Sequence, residues 1–435
     1  MPFGVSRELI TPPIKTHMGG YASLHGQYFV GIHDDLYAKA LLLDDGRDKA
    51  LLVTCDLLFH DFDLTEHLAD YVEERYSVPR SNLVLSYTHT HAGPAVRGYD
   101  PGQHSDEYEA FLAERLRRCV DRAFANLFRG TVAYGCIEGD WNVCRRKKIG
   151  DVWRNAPNYD APRDRELAIL SVTDDDRNLR AVLLNYSCHP VTLGDTLWIS
   201  AEYPGRLCQI LESAFYGSTA LFFQSAGGCS IPAVAAPGGQ RKKCSFEELD
   251  SMASDMARTV GQAVTSGALR QVAPDIAGRR FSIPLETEVY PKSYFEKIVN
   301  DPNIPPRPLK NEARTILERY DCTGNVIPLN ASILRIGNGL YVATLCGEVT
   351  YPVKRLVKSA FGQNDVIFIG YCDSTAYVPD DRYISEGGYE VDGSVVEFCL
   401  KGRFKPGVDE RVTAAYRENL AELERARSRV TKNRG

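Results

Sequence analysis

The chain has 435 residues, 44% of them hydrophobic and 25% charged, with a formal net charge of -6. That is globular composition, long enough for one large domain or two small ones. The mildly acidic balance excludes nucleic acid as the main partner, because phosphate binding needs a basic excess. No stretch approaches the length of a membrane span. Residues 1–15 show no charged segment followed by an apolar run, so no secretory leader is expected. The twelve cysteines stand singly, with no C-x-x-C pair, and are expected to be reduced core thiols of a cytoplasmic protein.

Residues 38–43 and 50–56 are strand-like and flank Asp44-Asp45-Gly46-Arg47-Asp48, which predicts a hairpin. Asp63-x-x-Glu66 has capping-box spacing and predicts a helix to about Tyr76, barred from extension by Pro79. Residues 82–90 read as a buried strand running into a loop. An amphipathic helix is predicted over 106–128, ended by Gly130, and a strand over 131–138. Residues 166–172 and 179–187 form a predicted hairpin. Pro204 fits the first turn of a helix to about Phe215, and a strand follows at 219–224. Ser245-x-x-Glu248 opens a helix to about Thr265. Residues 328–336 and 340–346 alternate around Gly337-Asn338-Gly339, a hairpin pattern. A helix at 351–361, a strand at 365–371 and a charged helix at 409–431, frayed at its basic end, complete the series. The segment 289–308, with several prolines, fits no pattern and reads as a surface excursion. Interleaved hairpins and crossovers predict an α/β fold. It has mixed β-sheets packed against helices in a single domain over 1–435, with a C-terminal helix at 407–432.

Five segments carry chemistry. Thr88-His89-Thr90-His91-Ala92-Gly93-Pro94 follows the apolar strand, and residues two apart on a strand share a face, so His89 and His91 can point into one site. A pair of hydrogen-bonded surface histidines is the plain alternative. His189-Pro190 repeats the design of apolar strand, histidine and proline. Glu348 lies at a strand-to-helix junction, where a carboxylate can bind a metal or face the helix macrodipole. The stretch from Asp373 through Tyr377 and Tyr383 to Tyr389-Glu390 is polar, tyrosine-rich and loop-like. Gln224-Ser225-Ala226-Gly227-Gly228-Cys229-Ser230 is a glycine-rich turn that can offer N–H groups and a hydroxyl to an oxyanion. It is not G-x-S-x-G, so no nucleophile elbow is expected, and Cys229 has no base beside it in sequence.

The ordered set resembles the catalytic domain of the neutral (alkaline, non-lysosomal) ceramidases, zinc amidases that cut the N-acyl bond of ceramide. The resemblance starts at Gly19-Gly20-Tyr21-Ala22 and Gly31-Ile32-His33 and runs through Thr88-His89-Thr90-His91-x-Gly93-Pro94 and Asn142-x-x-Arg145. It continues with His189-Pro190, Gln224-Ser225 with Ser230-x-Pro232, Gly347-Glu348, Ala376-Tyr377-Val378 and Tyr389-Glu390, covering about residues 19–394. It implies zinc ligands His89, His189, Glu348 and Tyr377, and His91 as general base and then acid. Arg145, Ser230 and Tyr389 would position the scissile carbonyl or its oxyanion. Such a zinc lowers the pKa of water towards about 7. A phenol beside it is acidified, and imidazole suits proton transfer near neutral pH. His33 and Glu202 are candidates to brace the site.

The chain departs from that family at Ala95-Val96-Arg97 and at Ala226-Gly227-Gly228-Cys229, and it ends in a helix where the family has an immunoglobulin-like domain. With no membrane-facing apolar or basic amphipathic segment, the expectation is a small soluble substrate and no stable membrane association. The basic runs Arg145-Arg146-Lys147-Lys148 and Arg241-Lys242-Lys243 could meet a carboxylate or phosphate on it, or be solvated loop charges. An esterase or lactonase, and a non-catalytic binding protein on the same scaffold, are the competing readings.

Overall fold

The computed structural model describes residues 1–98, 102–304, 308–373 and 375–432, the side chains of the last five excepted. Alternating apolar residues build two sheets that share one core. The larger, nine-stranded sheet runs in the order Thr219–Gln224, Leu179–Tyr186, Glu166–Asp174, Leu127–Glu138, Pro2–Leu9, Tyr37–Asp44, Lys49–Cys55, Leu83–Tyr87, with Arg270–Val272 beside Leu127–Glu138. The second comprises Pro274–Glu286, Val326–Gly337, Leu340–Leu345 and Asp365–Ile369. Both are mixed: Lys49–Cys55 pairs Leu83–Tyr87 in parallel, as does Leu340–Leu345 with Asp365–Ile369, while the hairpins are antiparallel.

The strand period of two sorts side chains between layers. Leu41, Leu43 and Leu183 face Val342, Ile367 and Ile369 in the core between the sheets. Ala40, Leu42 and Val53 face outward onto the helices Phe62–Tyr76 and Asp106–Ala125, through Leu68, Val72, Leu112 and Leu116. Val182, Leu184 and Phe222 meet Glu202–Ala214 and Phe246–Thr265 through Leu207, Met252 and Met256. Beyond the second sheet, Ala343 and Phe368 pack on Tyr351–Ser359 and Val408–Lys432 through Val353, Val412 and Tyr416. The layers are therefore helix, sheet, sheet, helix.

Most expected elements stand where the pattern put them, including the Ser245–Glu248 capping box. Three differ. The helix from Asp106 stops at Ala125, because Leu127, Phe128 and Arg129 pair with the N-terminal strand. The first helix is capped at Asp61 and begins at Phe62, and Glu66 instead meets Arg80 and Arg280. The unassigned stretch contains a helix, Lys292–Asn300. Nine cysteines are buried, while Cys136, Cys322 and Cys399 are exposed.

The strands Leu83–Tyr87, Leu179–Tyr186, Thr219–Gln224, Leu340–Leu345 and Asp365–Ile369 all deliver their C-terminal ends to one place. Backbone bonds stitch those ends together: Tyr87 N–H to Tyr371 O and Gly370 N–H to Gln224 O run between the two sheets, and Ser225 N–H to Tyr186 O runs within the larger one, each 3.0 Å. A buried ion pair braces this edge. Lys354 Nζ lies 2.6 Å from Asp164 Oδ2, and both side chains are at most 4% exposed. Asp164 also accepts from the Ser187 hydroxyl, and Asn142 donates to Asp164 O and Ser187 O. Lys354→Met leaves the Asp164 charge buried and unpaired, so urea unfolding should show a loss of about 3–5 kcal/mol. A loss below about 1 kcal/mol, the range of exposed pairs, would contradict a buried ionic brace.

Candidate metal centre

His89 lies past the end of its strand, at φ +67°. The two-residue spacing therefore brings His89 and His91 together through a turn, not through the pleat, and their Nε2 atoms are 3.2 Å apart. His189 enters from the neighbouring strand end, its N–H bonded to Ser230 O (3.2 Å). All three rings are anchored alike: Nδ1 of His89 to Leu58 O (2.7 Å), of His91 to Gly20 O (2.8 Å) and of His189 to Gly227 O (2.6 Å). A carbonyl can only accept, so each Nδ1 holds a proton, and in the neutral ring Nε2 presents a lone pair. The ligand atoms of the three histidines lie within 4.8 Å of one another.

Glu348 closes the cluster. Its Oε2 is 2.9 Å from His189 Nε2 and 3.4 Å from His89 Nε2. It is buried, with no hydrogen-bond donor. Burial, then the Arg145 charge, pulls the His189 pKa down to about 3. Burial, then His89 and His189, holds His91 well below the usual imidazole value. Neutral lone pairs thus face a buried carboxylate oxygen with no proton between them. A divalent cation satisfies every one of these acceptors, and imidazole with carboxylate is a donor set it accepts.

Tyr377 Oη is 3.4 Å from His189 Nε2 and accepts from Arg145 Nη2 at 2.8 Å. Burial pushes this phenol well up, and Arg145 opposes the rise. Arg145 is held in turn by Glu390, whose Oε1 takes Arg145 Nε (3.0 Å) and whose Oε2 takes Arg146 Nη1 (2.7 Å). Tyr389 opens a single π-helical turn, Tyr389–Gly393. Its ring lies 5.5 Å from that of Tyr377, and its hydroxyl donates to Glu397 (2.7 Å).

His89, His91, His189, Glu348, Tyr377, Arg145 and Tyr389 are therefore gathered at one point. Ser230 stands behind it: its hydroxyl donates to Ser187 O (2.9 Å) and its carbonyl holds His189. His33 stacks on Phe246 and bonds Asp34, which accepts from Ser200 Oγ and Ala201 N. Glu202, at φ +57°, accepts from Leu193 N–H and so fixes the loop after His189; burial raises its pKa to about 7. Burial pushes the Cys229 thiol far above its ordinary value, which removes it as a thiolate nucleophile. Lys242 and Lys243 are paired with Glu248 and Asp195.

Four nearby residues were not singled out from sequence as site residues. Tyr21 packs its ring 5.0 Å from that of His91, and Tyr371 its ring 4.4 Å from that of His89. Glu390 and Glu397 anchor Arg145 and Tyr389. Tyr21 and Glu390 carried a signal, in the motifs Gly19-Gly20-Tyr21-Ala22 and Tyr389-Glu390; Tyr371 and Glu397 are placed by tertiary contact. A further clamp adjoins Leu58: His60 bonds Asp61 (2.9 Å) and Glu109 (2.6 Å). Burial opposes its charge, yet the bonds from Asp61 and Glu109 raise its pKa to about 9.

The His60 pKa is raised on folding, so its stabilisation is full below about pH 6.5 and lost as pH rises through about 9. Measured against His60→Gln, the wild-type unfolding free energy should fall by about 3 kcal/mol across that window. Parallel pH profiles for the two proteins would remove the clamp.

Fold and site together define an α/β protein with a buried centre able to bind a metal. The family model described as neutral/alkaline non-lysosomal ceramidase, N-terminal, matches residues 2–268, and the chain belongs to that hydrolase family. The fold is also that of a structure titled as neutral ceramidase from Pseudomonas aeruginosa. That match has 19% identity and a TM-score of 0.76, and covers 98% of this chain and 74% of that one. A structure titled as ceramidase complexed with C2 matches at 18% identity and a TM-score of 0.77, covering 98% and 75%. Among the described residues no helix is long and apolar enough to cross a membrane.

Proposed function

We propose that this chain is a zinc-dependent hydrolase that cleaves an amide-type C–N bond of a small soluble substrate. The observation that carries the proposal is the Glu348 oxygen, buried without a donor among imidazole lone pairs. In this reading His89, His189, Glu348 and Tyr377 hold the ion. Zinc there supplies a Lewis acid for the scissile carbonyl and lowers the pKa of the attacking water.

The remaining steps belong to side chains. His91, neutral and fixed by Gly20 O, presents Nε2 as the base that takes a proton from water and returns it to the leaving nitrogen. That return favours a C–N bond, because an amine leaves only when protonated. In this reading Arg145, kept in place by Glu390, supplies positive charge to the carbonyl oxygen as it gains negative charge, and Tyr389 turns its hydroxyl from Glu397 to the same oxygen. Ester or lactone cleavage needs the same groups, and membership in a ceramidase family favours the amide.

Elemental analysis should find about one zinc per chain, lost in His189→Ala and Glu348→Ala. His91→Ala should keep the metal and lose about 10²–10⁴-fold in turnover. Equal metal loss in all three variants would overturn the division of roles. Turnover of esters with no turnover of any amide would overturn the bond assignment.

A lipid amide taken from a bilayer is the second reading, favoured by one observation. Tyr28, Val30, Ile32 and Trp198 are 43–64% exposed on or beside the two-stranded sheet that adjoins the His91 loop. In sedimentation with phosphatidylcholine–ceramide vesicles the protein should stay in the supernatant. Binding weakened by Val30→Ser and Trp198→Ser would replace the soluble substrate with a lipid one.

A further inference from the structure

Near this centre lies a cation that no carboxylate among the described residues neutralises. Arg241 belongs to the loop that follows Ser230–Pro232, the strand lying on Asn142–Ile149, which carries Arg145 and Arg146. The loop is fastened at both ends of the basic run. Lys242 N–H donates to Ala235 O (2.9 Å), and Cys244 N–H to Thr192 O (3.0 Å), three residues after His189. Within the run the three cations differ. Lys242 pairs with Glu248 and Lys243 with Asp195. Arg241 has no carboxylate among the described residues and donates only to the amide oxygen of Asn155.

Asn155 lies on Val152–Asn158, directly opposite Arg146. Next along the same pair of strands, Lys147 stands opposite Arg154, and both are exposed. Successive pairs project to opposite faces, so Lys147 and Arg154 lie on the side away from Asn155, and Arg241 stands without them. The groups that act on Arg241 electrostatically are those of the centre. Burial and then Arg145 disfavour its charge, while Tyr21, beside His91, with Glu390 and Tyr377, favour it. The two buried arginines are already committed, Arg145 to Glu390 and Tyr377, and Arg146 to Glu390 and Glu386. One guanidinium therefore remains free to bind a ligand at the rim.

We infer that Arg241 is a specificity-determining residue that recognises an oxyanion on the substrate, a carboxylate or a phosphate attached near the scissile amide. A guanidinium offers a planar fork of donors that matches either group. The inference rests on the amide-hydrolase reading for its reaction and on the rim alone for its binding. It narrows the substrate class to N-acylated amino acids or N-acylated amino-alkyl phosphates, and it sets neutral amides apart as poor substrates.

The test separates binding from turnover. Calorimetric titration of zinc-loaded His91→Ala compares N-hexanoyl-glycine, N-hexanoyl-aminomethyl phosphonate as the phosphate mimic, and neutral N-hexanoyl-glycinamide. One of the two anions should bind about tenfold or more tightly than the amide, and whichever does so identifies the oxyanion. Adding Arg241→Gln should collapse that ratio to about threefold or less, and Arg241→Glu should invert it. Lys242→Gln, whose ammonium is paired locally, should leave the ratio unchanged. Equal affinity for anions and amide, or a preference that survives Arg241→Gln, overturns the inference. In parallel, wild-type turnover is measured on the same compounds. Hydrolysis without an anion preference would retain the amidase and remove the rim site. An Arg241-dependent preference with no hydrolysis would retain the rim site and remove the amidase.

Discussion

The site depends on three hydrogen bonds that carry no charge. Leu58, Gly20 and Gly227 each offer a carbonyl to the Nδ1 of one histidine, and this fixes both the tautomer and the direction of every ring. The three carbonyls come from three distant parts of the chain. They can meet the rings only if the strand ends of both sheets stand in register, so the cross-sheet bonds from Tyr87 and Gly370 are a condition of the centre. The positive φ at His89 belongs to the same constraint, since backbone strain of this kind persists only where the surroundings over-determine it.

Around that point the fold places charges in closed sets. Glu390 answers Arg145 and Arg146, and Asp164 answers Lys354, all deeply buried. Burying single ions is costly, and pairing each charge with an opposite one offsets that cost. The result is a rigid surround in which Tyr377 and Tyr389 keep their positions. Rigidity matters because catalytic groups act only when held within about half an ångström of their working geometry. Glu348 and Tyr371 are not closed in this way: an oxygen of each is buried at the centre without a partner, and the Glu348 carboxylate among the imidazoles is suited to a cation.

Outward from the centre the character changes. One side of the mouth is basic, with Arg241 near the Arg145 strand, and another is apolar, with Val30 and Trp198 exposed. At 19% identity the similarity to the Pseudomonas aeruginosa structure is a similarity of fold, so the rim of this chain has to be read from its own residues.

The sequence by itself determined the elements and most of the chemistry-bearing residues. The apolar run over 38–43, the hairpin pattern around 337–339, the Ser245–Glu248 spacing and the strand-then-histidine motifs are local patterns, and local patterns follow from backbone geometry. The residues His89, His91, His189, Glu348 and Tyr377 were legible through their motifs and the order of those motifs. Only the tertiary structure decided how they meet. It showed that His89 reaches His91 through a turn, that Ser230 supports His189 from behind, and that Tyr21, Tyr371 and Glu397 stand at the centre. It also ended the second helix at Ala125, because pairing with the first strand outweighs helix propensity there. The physical reason is common to all of these. Direction of a side chain, burial of a charge and the identity of a hydrogen-bond partner are set by residues remote in sequence, and no local pattern contains them.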